Sequence, residues 1–244
     1  LYEVQDESER NDSERTFEFS GTLSPEIYYK KYLNVATPSI FYRAASGYGE
    51  DEFRAALKAQ SSNLNVLVGA TSSTQKVRLN LARAYEIASE FKELAVGGVC
   101  IAERHGKKGD EPQRMREKIA AGAKFFISQA IFDVQLARKF LEDCVATKIS
   151  EPIFLTFSTA GNAKTLEFIK WLGVSVPSSV EERLNLSSDY LASSCEIIKE
   201  IWCELKKFGD ENGLNLSINI ESVMAKRAEI EASLELTKNI RELV

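Results

Sequence analysis

The sequence predicts an α/β protein, a (β/α)8 TIM barrel lacking its first strand–helix unit, formed by residues 1–244 as a single domain. Three observations lead there. Short runs that are apolar almost throughout recur along the chain, as parallel strands covered on both faces require. Each run is followed by a segment with apolar residues at i, i+3, i+4 and i+7, the period of an amphipathic helix. Polar residues gather where several different strands end: Asp6 and Glu7, Arg43, Thr71 and Ser72, Glu103 and His105, Ser128 and Gln129, Ser158, Glu221. A barrel builds its site from the carboxyl ends of all its strands, whereas an open doubly wound sheet with a nucleotide loop would carry GxGxxG or GxxxxGK[ST]. Neither motif occurs.

The elements follow in order. LYEVQD is strand-like and PEIYYKKYL reads as its helix; SIFYRAA precedes EDEFRAALKAQ; NVLVGA precedes LARAYEIASEFK. GGVCIA precedes EPQRMREKIAAG, KFFISQAIF precedes QLARKFLEDCVATK, and PIFLTFS precedes AKTLEFIKWL. LSINIE precedes a last helix from about Ala225 to Val244. An extra helical segment, VEERLNLSSDYLASSCEIIKEIWCELKKFG, lies before that final strand. The runs place strand ends at Asp6, Ala44, Ala70, Ala102, Gln129, Ser158 and Ile220. Strict β and α alternation with short connections requires right-handed crossovers and a parallel sheet.

Bulk properties narrow the function. Apolar residues make up 44% and charged residues 27%, with a net charge of −5. That balance, with no basic stripe, argues against nucleic-acid binding. No apolar run approaches a membrane span, and the polar start LYEVQDESERNDSER does not read as a signal peptide. Cys100, Cys144, Cys195 and Cys203 form no CxxC pair, so reduced thiols in a cytoplasmic protein are expected rather than a metal site. A homo-oligomer is compatible with all of this.

Two stretches carry chemistry. GGVCIAERHGKKGDE holds the single histidine, His105, beside Glu103 at a strand exit. Lys107 and Lys108 are expected to begin a loop, and Asp110 or Glu111 to open the next helix. Some of that charge also reads as helix-end electrostatics, and His105 equally as a hydrogen-bonded rim residue. In KFFISQAIFD, Gln129 is an amide in the middle of an apolar strand. Its carbonyl and NH₂ both need partners, which a neighbouring strand or a heterocyclic ligand would supply.

The segment GGVCIAERHGKKGDEPQRMREKIAAGAKFFISQAIFD resembles the methylenetetrahydrofolate reductase family. The matching positions are Glu103, His105, Glu111, Lys118, the AGA of Ala121–Ala123, and Gln129. Weaker resemblance runs through YEVQDESER, SIFYRAA, LTFSTAGNAKTLEFIKWLGVSVP and GLNLSINIE. The resemblance implies a (β/α)8 barrel that converts methylenetetrahydrofolate to the methyl form with hydride from NAD(P)H, through FAD in the flavin-dependent enzymes. It implies that Gln129 holds the folate pterin. Glu103, His105, Glu111 and Lys118 would line the cofactor, beside Gly69 and Thr71 at the preceding strand exit.

Two departures qualify it. The family's acid on its first strand has no counterpart, which leaves the catalytic residue unassigned and residues upstream of Leu1 expected. Where flavin-dependent members carry Arg-Gly-Asp, this chain has Gly69-Ala70-Thr71. That resembles a divergent branch working without tightly bound flavin, so weak FAD binding is expected. The rivals are a catalytically silent folate- or flavin-binding partner subunit, and an unrelated barrel enzyme. A Schiff-base aldolase would need a strand lysine, and only Lys124, at an edge, is offered.

Overall fold

The computed structural model describes residues 23–33, 38–60, 62–70 and 75–241. In chain order, α1 (Pro25–Tyr28) runs into a π-helical turn at Tyr29–Leu33; then come β1 (Ile40–Ala44), α2 (Glu50–Ala59), β2 (Leu64–Val68), α3 (Leu81–Ser89) and β3 (Ala95–Cys100). Two helices follow, α4 (Ala102–Lys108) and α5 (Glu111–Ala120), before β4 (Phe126–Ala130), α6 (Val134–Ala146), β5 (Ile153–Ser158) and α7 (Ala163–Trp171). The remainder is α8 (Ser178–Leu186), α9 (Tyr190–Glu211), β6 (Leu216–Glu221) and α10 (Arg227–Arg241). Contacts divide the chain into two compact units, one of residues up to Val99 with Arg114–Phe126, the other of Cys100–Gln113 with Ile127–Val244.

In the first unit β1 pairs in parallel with β2, Ile40 opposite Leu64, and β2 with β3, Leu64 opposite Ala95. Phe41, Val66, Leu67 and Val96 on these strands are buried. Two adjacent glycines in β3 make room for what crosses it. A Cβ on Gly97 would lie 2.5 Å from the Phe125 ring, and one on Gly98 would lie 2.7 Å from the Tyr85 hydroxyl. That hydroxyl donates to the Gly97 carbonyl at 3.1 Å. The helices are tied on their outer side by Arg54–Glu90 (2.7 Å) and Arg83–Glu50 (2.8 Å). These pairs are solvated and contribute little to stability.

In the second unit the strand order is β4-β5-β6. β5 and β6 are parallel, Ile153 opposite Leu216 through Ser158 opposite Glu221. The starts of α6, α7 and α9 have side-chain caps: Asp133 accepts from Leu136 N, Asn162 from Thr165 N, and Asp189 from Ala192 N. These side chains satisfy amides that the first turn leaves without partners. The long α9 buries Ile197, Ile198, Ile201, Trp202, Leu205 and Phe208, with Trp202 edge-on to Phe157 of β5 at 6.3 Å. From α10, Glu229 reaches the turn between β5 and α7, where it is 2% exposed and accepts from Thr165 Oγ1 at 3.1 Å. Gly161 admits it: a Cβ there would lie 2.5 Å from Glu229 Oε1.

The parallel α/β class expected from the sequence is the observed one. Six expected strand ends, Ala44 to Ile220, fall within two residues of the observed ones. The end at Asp6 lies outside the described residues. The extra segment becomes two helices, α8 and α9, broken at Ser187–Asp189. One expectation is overturned. Lys107 and Lys108 do not begin a loop; they close α4, which ends on Gly109 in the left-handed region at φ 68°. With only Ala102 and His105 turned inward, a seven-residue helix leaves no apolar seam in the sequence.

Candidate functional site

Three side chains of the second unit converge on one short segment, Leu172–Ser175. Gln129 Nε2 donates to the Leu172 carbonyl at 2.9 Å. Ser175 N donates to Glu103 Oε1 at 3.1 Å, and the Ser175 hydroxyl donates to Asp133 Oδ2 at 3.1 Å. The local sequence explains the segment. α7 ends after Trp171, and Gly173 at φ 89° turns the chain in a region other residues avoid. Leu172 and Ser175 are three peptide links apart, so their Cα atoms lie no more than about 11 Å from each other. Gln129 and Glu103, on different elements and 26 positions apart in sequence, are therefore anchored to two ends of one short span.

Each group has a distinct state. Gln129 is the penultimate residue of β4, among buried Phe126, Ile127 and Ile131. One of its side-chain N–H groups is engaged by Leu172, its backbone carbonyl accepts from Ser128 Oγ at 2.7 Å, and its side-chain oxygen has no partner among the described residues. Glu103 sits in the first turn of α4, partly buried and without an ion pair among the described residues. Burial, reinforced by Asp133, pushes its carboxyl above the usual carboxylate range, against hydrogen bonds from its own amide and Ser175 N and the pull of Lys107. Asp133 uses Oδ1 to cap α6 and Oδ2 to hold Ser175.

The other residues singled out in the sequence are placed differently. His105 is 5% exposed and faces α6, with Nε2 2.9 Å from Asp143 Oδ2 and its ring edge-on to Phe140 at 5.9 Å. Lys139, at 2.8 Å, and then His105 hold the Asp143 carboxyl below its ordinary range. Glu111 is fully buried; Arg104 donates to both of its oxygens, and Ile101 N donates to Oε1 at 3.2 Å. In the first unit, Lys118 Nζ donates to the Val99 carbonyl. Gly69 follows β2, with the nearest atom to a Cβ there being Leu81 Cδ2 at 3.7 Å. Thr71 lies outside the described residues. Asp133 and Ser175 were not singled out in the sequence. Asp133 carried a readable signal as a cap ahead of an amphipathic run, while Ser175 carried none.

Among the described residues no cluster of three or more metal-ligating side chains occurs, and no helix there is long and apolar enough to cross a membrane. None of the four cysteines forms a disulfide.

Parallel strands, each followed by a helix, with the Gln129 amide and the partly buried Glu103 carboxyl near strand exits, define an α/β protein with polar groups at the carboxyl ends of its strands. Residues 102–201 match the family described as methylenetetrahydrofolate reductase. A solved structure of an uncharacterized protein from Clostridium thermocellum is 39% identical, with a TM-score of 0.83, covering 93% of this chain and 82% of that one. That protein is described as binding two copies of 5-methyl-5,6,7,8-tetrahydrofolic acid. The chain belongs to the methylenetetrahydrofolate reductase family. A 2,3-dimethylmalate lyase of the PEP mutase/isocitrate lyase superfamily is 13% identical, with a TM-score of 0.43 over 86% of this chain and 61% of that one, too distant to carry an argument. No curated protein sequence matches the chain.

Proposed function

We propose that this protein binds reduced folate and reduces its one-carbon unit, methylenetetrahydrofolate to methyltetrahydrofolate, in the cytoplasm with NAD(P)H as hydride donor. The observation that carries the reading is the Clostridium thermocellum relative, 39% identical across 93% of this chain and described as a binder of methyltetrahydrofolate. Gln129 supports it from this chain's own side. Its amide oxygen and remaining N–H present an acceptor and a donor in apolar surroundings, a match for the alternating donors and acceptors of a pterin edge. Fixing the pterin there would set the one-carbon unit in place for hydride attack, and positioning alone accounts for much of such a rate.

FAD fits these residues poorly. Of the groups that the family resemblance turns toward a flavin, His105 is committed to Asp143, Glu111 to Arg104, and Lys118 to the Val99 carbonyl. The exit of β2 offers the uncharged Gly69-Ala70. The reading therefore takes hydride directly from NAD(P)H. A second reading, a catalytically silent folate-binding partner subunit, is favoured by that same uncharged exit.

The test is titration of the purified protein with 5-methyltetrahydrofolate and with FAD, followed by NAD(P)H oxidation in the presence of methylenetetrahydrofolate. The expected outcome is folate binding, turnover without added flavin, and FAD affinity weaker than about 1 μM, or −8 kcal/mol. Folate binding without turnover selects the silent subunit. Absence of folate binding overturns both readings.

A further inference from the structure

The carbonyl that Gln129 meets belongs to a helix end. Leu172 caps α7, whose last turn closes with Gly173 N on the Lys170 carbonyl at 2.9 Å and Val174 N on the Ile169 carbonyl at 3.4 Å. The Leu172 carbonyl is therefore one that the helix leaves without an internal partner, at the negative end of its dipole. A carbonyl only accepts, so it takes Gln129 Nε2 and leaves the amide oxygen facing away from it. We infer that Ser175, clamped by Glu103 and Asp133, is a positioning residue that acts through this carbonyl and holds the Gln129 amide in the one orientation that offers folate an acceptor beside a donor. The inference rests on the folate reading of Gln129 and adds the device that prepares it.

Two elements grip Ser175 through two different atoms. Its N–H donates to Glu103 Oε1, in the first turn of α4, at 3.1 Å, and its hydroxyl donates to Asp133 Oδ2, ahead of α6, at 3.1 Å. Asp133 is itself held, since its other oxygen accepts from Leu136 N at 3.0 Å. Only Gly173 and Val174 separate the clamp from the Leu172 carbonyl. Val174 is buried, and Gly173 turns the chain at φ 89°. A Cβ on Gly173 would lie 4.0 Å from Gln129 Nε2, so the turn passes directly beside the amide. Neither Glu103 nor Asp133 forms an ion pair among the described residues. Two carboxyls brought to one serine repel each other, a cost that a plain structural tie does not need, because a single acceptor would hold the serine.

A glutamine released from Leu172 samples several rotamers and both orientations of its amide, and an arriving ligand then has to select one. Fixing the side chain beforehand removes that cost from binding. The gain has a ceiling, because the clamp works only through Gln129 and cannot contribute more than Gln129 does.

The experiment is isothermal titration of the full chain with 5-methyltetrahydrofolate, with a thermal melt beside each titration. The variants are Ser175→Ala, Ser175→Thr, Glu103→Ala and Glu103→Gln, each made in wild type and in Gln129→Ala. Ser175→Ala and Glu103→Ala should each weaken affinity about threefold to tenfold, the cost of immobilising one side chain. Ser175→Thr keeps the hydroxyl and Glu103→Gln keeps the acceptor, so both should stay within about twofold of wild type. In the Gln129→Ala background none of these substitutions should change affinity further, because the clamp has no amide left to hold. Wild-type affinity in either Ser175→Ala or Glu103→Ala overturns the inference. Losses that persist undiminished in Gln129→Ala overturn it equally, since they report a general loosening of the protein. Both results leave the folate reading standing. If Glu103→Ala does not fold, Ser175→Ala carries the test under the same criteria. A wild type without affinity for 5-methyltetrahydrofolate overturns the folate reading, and the inference falls with it.

Discussion

Replacing Arg104 by methionine strips the cation from a carboxylate with no exposure at all. Glu111 accepts from Arg104 through both oxygens and from Ile101 N through one, and Arg104 itself is 28% exposed. Methionine keeps the apolar stem and removes the charge, leaving a buried anion with a single amide donor. Breaking a buried pair from one side costs about 3–5 kcal/mol, because the surviving charge is no longer compensated. For a chain of this length each kcal/mol moves Tm by about 2–4 °C, so the loss should be about 6–20 °C. The double variant Arg104→Met/Glu111→Gln removes both charges and keeps the acceptor for Ile101 N. It should recover most of the loss and leave a deficit of about 1–2 kcal/mol. The assay is chemical denaturation of wild type, both single variants and the double variant, read as a double-mutant cycle. A cost below about 1 kcal/mol for Arg104→Met would refute the reasoning, since only exposed pairs are worth so little. It would also return Glu111 to the cofactor wall that the family resemblance suggests, because its charge would then be answered elsewhere.

Gln129→Ala should weaken folate affinity about tenfold to a hundredfold, the 1–3 kcal/mol of ligand groups left unpaired, with little change in Tm; isothermal titration beside a melt checks this. Asp143→Asn should destabilise at neutral pH, with the difference from wild type shrinking in acid. Because Lys139 and His105 depress the Asp143 carboxyl, its contribution is present above the unfolded value of about 3.9 and lost as pH falls through the lower folded value. Denaturation midpoints at a series of pH values down to about pH 3 would show the convergence. Gly97→Ala should cost about 1–3 kcal/mol, since the new methyl meets the Phe125 ring at 2.5 Å; an unchanged melt would mean that the ring moves freely.

The strands were readable because each is a nearly continuous apolar run between turns, and burial on both faces writes itself into composition. Gln129 was readable for the converse reason, a lone amide among Phe126, Ile127 and Ile131 that has to be satisfied. α4 was not readable, since seven residues with two inward positions carry no period. Nor was the fate of the charged residues around it. His105 meets Asp143 38 positions later, and Glu103 meets Ser175 72 positions later. Such contacts depend on how helices pack, and no local pattern encodes them. Arg104 and Glu111 lie only seven positions apart, yet a helix end and a turn separate them, so helical spacing gave no hint of the pair.

The buried carboxylate that α10 sends into the turn between β5 and α7 sets an order of events during synthesis. Thr165 is made 64 residues before its acceptor, Glu229. At about 5–20 residues per second, the ribosome needs about 3–13 s to cover that distance. Throughout that time the Thr165 hydroxyl lacks its carboxylate, and the hollow that Gly161 leaves by having no Cβ stands without the side chain that fills it. The turn preceding α7, and with α7 the segment on which Gln129 and Glu103 are anchored, reaches its final form only after β6 and the start of α10 have emerged. A nascent chain stalled short of residue 229 should therefore expose this turn to proteases, while strands completed earlier are already protected.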